Sequence, residues 1–195
     1  SWLAQLLSSL GRHEEALAYI DRAVELDPVS PTVNGVRFPI LEGMRDFDNG
    51  LRLADQSLRM DKENQNSKRS YATFRLHKGQ FEEVIAFVEP MIGENGPAQH
   101  IWLSLLAGAF IRSGQPERAA PLLETLRVRA DSDSKFRYSL AVANAELGRR
   151  AEAIDELRKC FSDHEERMIW IKTEPRLDSL RDDPAFQAIV KDMKL

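Results

Sequence analysis

The chain has 195 residues, 43% of them hydrophobic and 30% charged, with 10 Gly and 9 Pro; this balance excludes disorder and points to a folded, helix-rich protein. A formal charge of −4 and a pI near 5.7 give no broad attraction for phosphate backbones, so nucleic acid is not an expected partner. The single cysteine, Cys160, excludes an intramolecular disulfide and fits a reducing, cytoplasmic setting, and no apolar run reaches the roughly 18–20 residues of a membrane span, so no insertion is expected.

The opening residues, WLAQLLSSL, already carry a helical rhythm, which is expected of a fragment of a longer polypeptide. Leu3, Leu6, Leu7 and Leu10 would leave apolar surface for a second copy, a possible homo-oligomer, or for upstream sequence. After a turn at Gly11, Ala16, Leu17, Ile20, Ala23, Val24 and Leu26 follow helical spacing until Asp27-Pro28 stops them. In PTVNGVRFPILEG, residues 31–43, Pro39 is expected to kink or partly unwind the helix. The next apolar stretch ends at Asp61, 34 residues after Asp27. Residues 64–80, NQNSKRSYATFRLHKGQ, hold Lys68, Arg69, Arg75 and Lys78 without one Asp or Glu. Pro90 and Pro121 should bend or break the helices they enter, and ENGPAQ at 94–99 should lengthen a loop. Leu103–Leu106 with Ala107 and Phe110, then Leu140, Ala141, Ala145 and Leu147, mark two further helices. In the tail, helices are expected from Glu165 to Lys172 and from Pro184 onward, the latter signalled by Asp182-Asp183. Trp170, Leu177, Leu180, Phe186, Ile189 and Val190 would cover the last apolar face.

A period runs through these segments. Gly11 and Gly79 are 68 residues apart, twice 34, and Ala16, Gly50 and Val84 are successive 34-residue equivalents, followed by Ala119 and Ala153. Gly11, Gly79, Gly114 and Gly148 recur in the turn, with Arg45 as the exception, which predicts a residue at positive φ just beyond a helix end.

This pattern resembles the tetratricopeptide repeat, an antiparallel helix pair with a small residue where the helices cross. The resemblance is carried by Gly11, Ala16, Tyr19-Ile20, Ala23 and Asp27-Pro28, by Gly79, Phe81, Val84 and Phe87-Val88, and by Gly114 with Ala119 and Gly148 with Ala153. It implies an all-α, right-handed α-solenoid of five hairpins (1–28, 29–62, 63–96, 97–131 and 132–162) with C-terminal capping helices over 163–195. The function it implies is a noncatalytic protein–protein interaction scaffold that binds a peptide or protein partner in a concave groove. The tail LDSLRDDPAFQAIV is similar to the ends of tetratricopeptide regions in bacterial multidomain signalling proteins. That likeness implies the alternative: a regulatory or sensor arm whose active domain lies upstream of residue 1. The resemblance also puts first helices along the groove, with an inner stripe of Arg69, Thr73 and His77, then Ser104 and Arg112, then Lys135 and Tyr138. A mildly basic groove of this kind selects an acidic partner. Ser1, Gln5, Val36, Asn66 and Ser70 stand where some relatives grip a chaperone's C-terminal carboxylate with Lys and Asn, which excludes that role.

No reactive constellation accompanies the period. His13, His77, His100 and His164 are dispersed, without HExxH, GxSxG or GxxxxGK[ST], so surface or turn positions are expected for them and no catalysis, metal or cofactor. Cys160 is the equivalent of Ala23, which predicts a buried thiol. Asn144, among apolar neighbours, suits either a ligand or a nearby backbone group, and Trp2, Trp102 and Trp170 read as packing residues.

Overall fold

A computed structural model of the chain describes residues 2–27, 30–93, 96 and 98–195. Pro28 and three residues of the expected loop, Glu94, Asn95 and Pro97, lie outside the described residues. Within them the regular structure is helical, with no strand: α1 Trp2–Ser9, α2 His13–Leu26, α3 Pro31–Gly43, α4 Phe47–Met60, α5 Gln65–His77, α6 Phe81–Val88, α7 Gln99–Arg112, α8 Pro116–Ala130, α9 Ser134–Glu146, α10 Arg150–Ser162 and α11 Pro184–Asp192. Short 3-10 turns occupy Glu89–Met91, Glu166–Trp170 and Pro175–Leu180.

The chain forms two compact units. The first takes the described residues up to Lys78, with Lys172–Pro175 and Leu195; the second takes Gly79–Ile171 and Arg176–Lys194. In the first, α1 packs on α2, α2 on α3, α3 on α4 and α4 on α5. Ala4, Leu7, Ala16, Ile20, Val36 and Ile40 form one core cluster, and Phe38, Leu41, Ala54 and Phe74 another. In the second, α6 packs on α7, α7 on α8, α8 on α9 and α9 on α10, with Leu103, Leu126, Ala130, Phe136 and Leu140 clustered inside. Helices α7 and α9 are buried along most of their length, which accounts for their lack of a polar face.

The crossing residues behave as their size demands. Ala16, Val84, Ala119 and Ala153 are each 0% exposed, and Gly50 is buried. Gly11, Gly79, Gly114 and Gly148 have φ of +84°, +74°, +78° and +74°, and Arg45, the exception in sequence, adopts φ +62° as well. Several of these turns close with the same bond, the residue after the left-handed one donating its N–H five residues back: Arg12 to Leu7, Asp46 to Leu41, Gln115 to Phe110 and Arg149 to Asn144, at 2.8–2.9 Å. For Arg45 the left-handed conformation costs about 1–2 kcal/mol that glycine avoids. Its guanidinium offsets part of that by donating to the carbonyls of Gly43 and Thr173.

Three expectations about helix continuity need correction. Pro39 lies inside α3, which is not unwound. Burying Val36, Phe38, Ile40 and Leu41 around it, at about 1.5–3 kcal/mol for each large apolar side chain, outweighs one missing hydrogen bond. Pro121 likewise does not break α8; it is exposed, so the carbonyl it frees can be met by water. Pro90 does end its helix, α6 giving way at Val88 to the 3-10 turn. The expected helix over 165–172 is a 3-10 turn, and a second turn over 175–180 was not foreseen. The stretch is bounded by His164, at φ +57°, and by Pro175, both of which interrupt an α-helix. Helix α11 starts as expected, Asp183 accepting from the Ala185 N–H at 2.8 Å.

Trp102 is buried, but Trp2 is 83% exposed and packs against nothing that would cover it, which corrects its reading as a packing residue. Cys160 is fully buried, and its thiol is pushed up from 9.0 to about 12, first by burial and next by the Glu165 carboxylate. Between those values the native state holds a proton that the unfolded state has lost, so this contribution to stability is complete below pH 9 and fades as pH rises toward 12. Native protein at pH 8 should therefore leave Cys160 unlabelled by a thiol reagent that modifies it quantitatively in denaturant. Labelling of the native protein at the denatured rate would refute its burial.

Candidate functional site

Helix α5 carries Arg69, Thr73 and His77 at four-residue spacing, which sets them on one face. Arg69 and Thr73 are half-buried. The His77 side chain is only 5% exposed, its Nε2 3.0 Å from Glu42 Oε1 and its ring stacked on Phe47 at 4.6 Å between centroids. The expected surface position is thus wrong for His77. It is wrong for His100 too, which is buried against the Phe136 ring. His13 is half-buried beside the Ser8 hydroxyl, and burial, then Arg45, lowers its pKa. His164 is exposed in its turn, as expected.

The basic stretch is largely engaged within its own unit. Lys68 pairs with Glu63, Lys78 pairs with Asp48, and the Arg75 guanidinium lies 4.5 Å from the Tyr71 ring centroid. The same unit holds a cleft of about 400 Å³ that sequence reasoning missed, lined among others by Val24, Asn34, Arg37, Phe38, Leu53 and Met60. Its lining comes from α2, α3, α4 and α5 and from the loop between the last two, so no contiguous motif announces it.

In the second unit, the face of α7 that carries Ser104 and Arg112 at two-turn spacing also carries Gly108. The Arg176 guanidinium lies across this face, Nη1 donating to Ser104 Oγ at 3.1 Å and Nη2 to the Ser104 carbonyl at 2.9 Å. Arg176 also clasps Glu146 with two hydrogen bonds, both side chains 6% exposed. A Cβ on Gly108 would stand 2.8 Å from Arg176 Nη2 and from Glu146 Oε2, so the absent side chain makes room for the ion pair. Arg167 covers Tyr138 in the same manner, 4.4 Å from the ring centroid, and donates to Ser139 Oγ. Tyr138 is fully buried. Arg112 is exposed, its guanidinium over the Phe81 ring, and its pKa is lowered by partial desolvation, with Glu146 opposing and Arg176 assisting. Lys135 is exposed in the first turn of α9.

Within this unit, then, the chain's own tail covers Ser104 and Tyr138, while Arg112 and Lys135 face solvent. Sequence reasoning took the tail as an end cap. Helix α11 does pack on α10, but Arg167 and Arg176 reach α9 and α7 instead. A glycine in mid-helix, costing about 1 kcal/mol against alanine, was the signal that something approaches α7 closely. On α1, Leu3 and Leu6 are exposed but Leu7 is buried, so the four leucines do not form one surface.

Helix hairpins with a small residue buried at each crossing and a left-handed residue in each turn define a helical-repeat protein. Two family models, each described as tetratricopeptide repeat, match residues 1–30 and residues 105–159. These two stretches are tetratricopeptide repeats. Such repeats generally mediate protein–protein interaction and are typically noncatalytic. A search of curated proteins found no match. Among the described residues no helix is long and apolar enough to cross a membrane.

Proposed function

We propose that this chain is a noncatalytic interaction module that recruits an acidic peptide or protein through cationic side chains on the first helices of its repeats. The observation that carries this reading is the tetratricopeptide matches over residues 1–30 and 105–159, together with Arg69 on α5 and Lys135 on α9. Charge-assisted hydrogen bonds from such groups are worth about 1.5–3 kcal/mol each when a carboxylate meets them. In the first unit the contact rests on Arg69 and Thr73, His77 being drawn to Glu42. In the second it rests on Lys135 and Arg112, since the tail occupies Ser104 and Tyr138. The exposed side chains Trp2, Leu3 and Leu6 of α1 are the surface through which copies of the chain would meet.

The test starts from a partner captured by the intact protein and titrates it against Arg69→Glu and Lys135→Glu separately. Each reversal should weaken binding at least tenfold and flatten its dependence on salt, with the melting temperature retained. Unchanged affinity in both variants refutes the cationic face and leaves the fold untouched.

A further inference from the structure

We infer that Glu42, His77 and Glu174 form a binding site for a divalent transition metal, and that zinc is the ion their donors fit. The three residues come from separate segments of the first unit: Glu42 from the last turn of α3, His77 from the end of α5, and Glu174 from the stretch between the two 3-10 turns of the tail. Their donor atoms all lie within 4.8 Å of one another, and His77 Nε2 is already 3.0 Å from Glu42 Oε1. A tetrahedral zinc with bonds of about 2.0–2.2 Å holds its donors roughly 3.3–3.6 Å apart, so modest rotation of the carboxyl groups brings one nitrogen and two oxygens onto one ion. One nitrogen and two carboxylates, with water in the fourth position, is a donor set zinc accepts and calcium or magnesium would not choose.

Two features separate this cluster from a chance meeting of surface acids. Two carboxylates converge on one imidazole where all three side chains are partly buried, which brings together the ligand types that zinc takes. The donors are also held from outside. Phe47 stacks on the imidazole with only 12° between ring planes, which fixes where Nε2 points. Glu174 is delivered by its neighbours, since Arg45 donates to the Thr173 carbonyl at 3.1 Å and Lys172 donates to the Leu10 carbonyl at 3.1 Å. Such support is what metal ligands need in order to bind without reorganising. A bound ion would clamp residues 172–175 to α3 and α5.

The experiment uses the intact protein stripped of metal and Zn²⁺ in competition with a chromophoric chelator. One equivalent of zinc should be withdrawn, the midpoint of thermal unfolding should rise on its addition, and both effects should vanish in Glu174→Gln, with affinity down at least tenfold. Glu174→Gln keeps the side chain's shape at a half-exposed position, so it separates metal binding from folding even where His77→Ala unfolds. His164→Ala, at an exposed turn, should bind as the parent does. Failure to withdraw zinc at micromolar concentration, or parental affinity in Glu174→Gln, overturns the site. Neither result depends on whether an acidic partner is found.

Discussion

Glu146→Ala should lower the free energy of unfolding by about 3–5 kcal/mol, because it strips the counter-charge from a buried guanidinium. Arg176 and Glu146 are each 6% exposed, and Arg176 also donates to the hydroxyl and carbonyl of Ser104. Those two bonds orient the guanidinium but do not neutralise it. Arg112, whose pKa Glu146 raises and Arg176 lowers, would then keep the unfavourable influence of Arg176 and lose the favourable one of Glu146. Replacing the pair together, Arg176→Met with Glu146→Leu, should cost far less and lie close to the parent, since both desolvation penalties disappear with the charges. Urea unfolding of the parent, Arg176→Met, Glu146→Leu and the double variant closes a double-mutant cycle. A loss below about 1 kcal/mol for Glu146→Ala would mean that the pair is wet and contributes little, as surface pairs do.

The second large effect concerns a hydrogen atom where the repeat elsewhere has a methyl group or more. Gly50 lies at the end of the first turn of α4, where helix propensity alone favours alanine by up to about 1 kcal/mol. A Cβ there would lie 2.7 Å from Cδ1 of Phe74 and closer still to Cε1 and Cζ, and Phe74 is fully buried with its ring 6.4 Å from that of Phe38. The ring cannot withdraw without opening the core, so Gly50→Ala should destabilise by about 1–3 kcal/mol. The sign of the change therefore discriminates between propensity and packing. Phe74→Leu introduced alongside Gly50→Ala should recover most of the loss, and a gain of stability in Gly50→Ala alone would refute the steric account.

The same exchange of volume was present in the sequence. Phe74 stands 24 residues after Gly50, Ile40 stands 24 after Ala16, Ala143 stands 24 after Ala119, and Ala109 stands 25 after Val84. The largest residue of the later set faces the smallest of the earlier one. Periodicity thus revealed the hairpins, the crossings and the left-handed turns, because each repeat must solve the same local packing problem. It also gave the burial of Cys160 through the equivalence with Ala23. What it did not reveal depends on contacts that no period encodes. Arg176 and Ser104 are 72 residues apart, and the tail that joins them lies outside the repeating register. Tyr138 was expected on the inner stripe of the groove, yet Arg167 from that tail covers it. His77 was expected at the surface because its spacing from other histidines is wrong for catalysis, but Glu42 on another helix and Phe47 on a third enclose it.

The return of residues 172–175 to the first unit sets an order of events during synthesis. Lys172 reaches the Leu10 carbonyl across 162 residues of chain, and Arg45 reaches Thr173 across 128. A ribosome adding about 5–20 residues per second exposes the first four helices long before those partners exist. The unit begun first is therefore still incomplete when the helices of the second are emerging, and a nascent chain halted anywhere before residue 172 lacks both the amine that donates to the Leu10 carbonyl and the Thr173 carbonyl that accepts from Arg45.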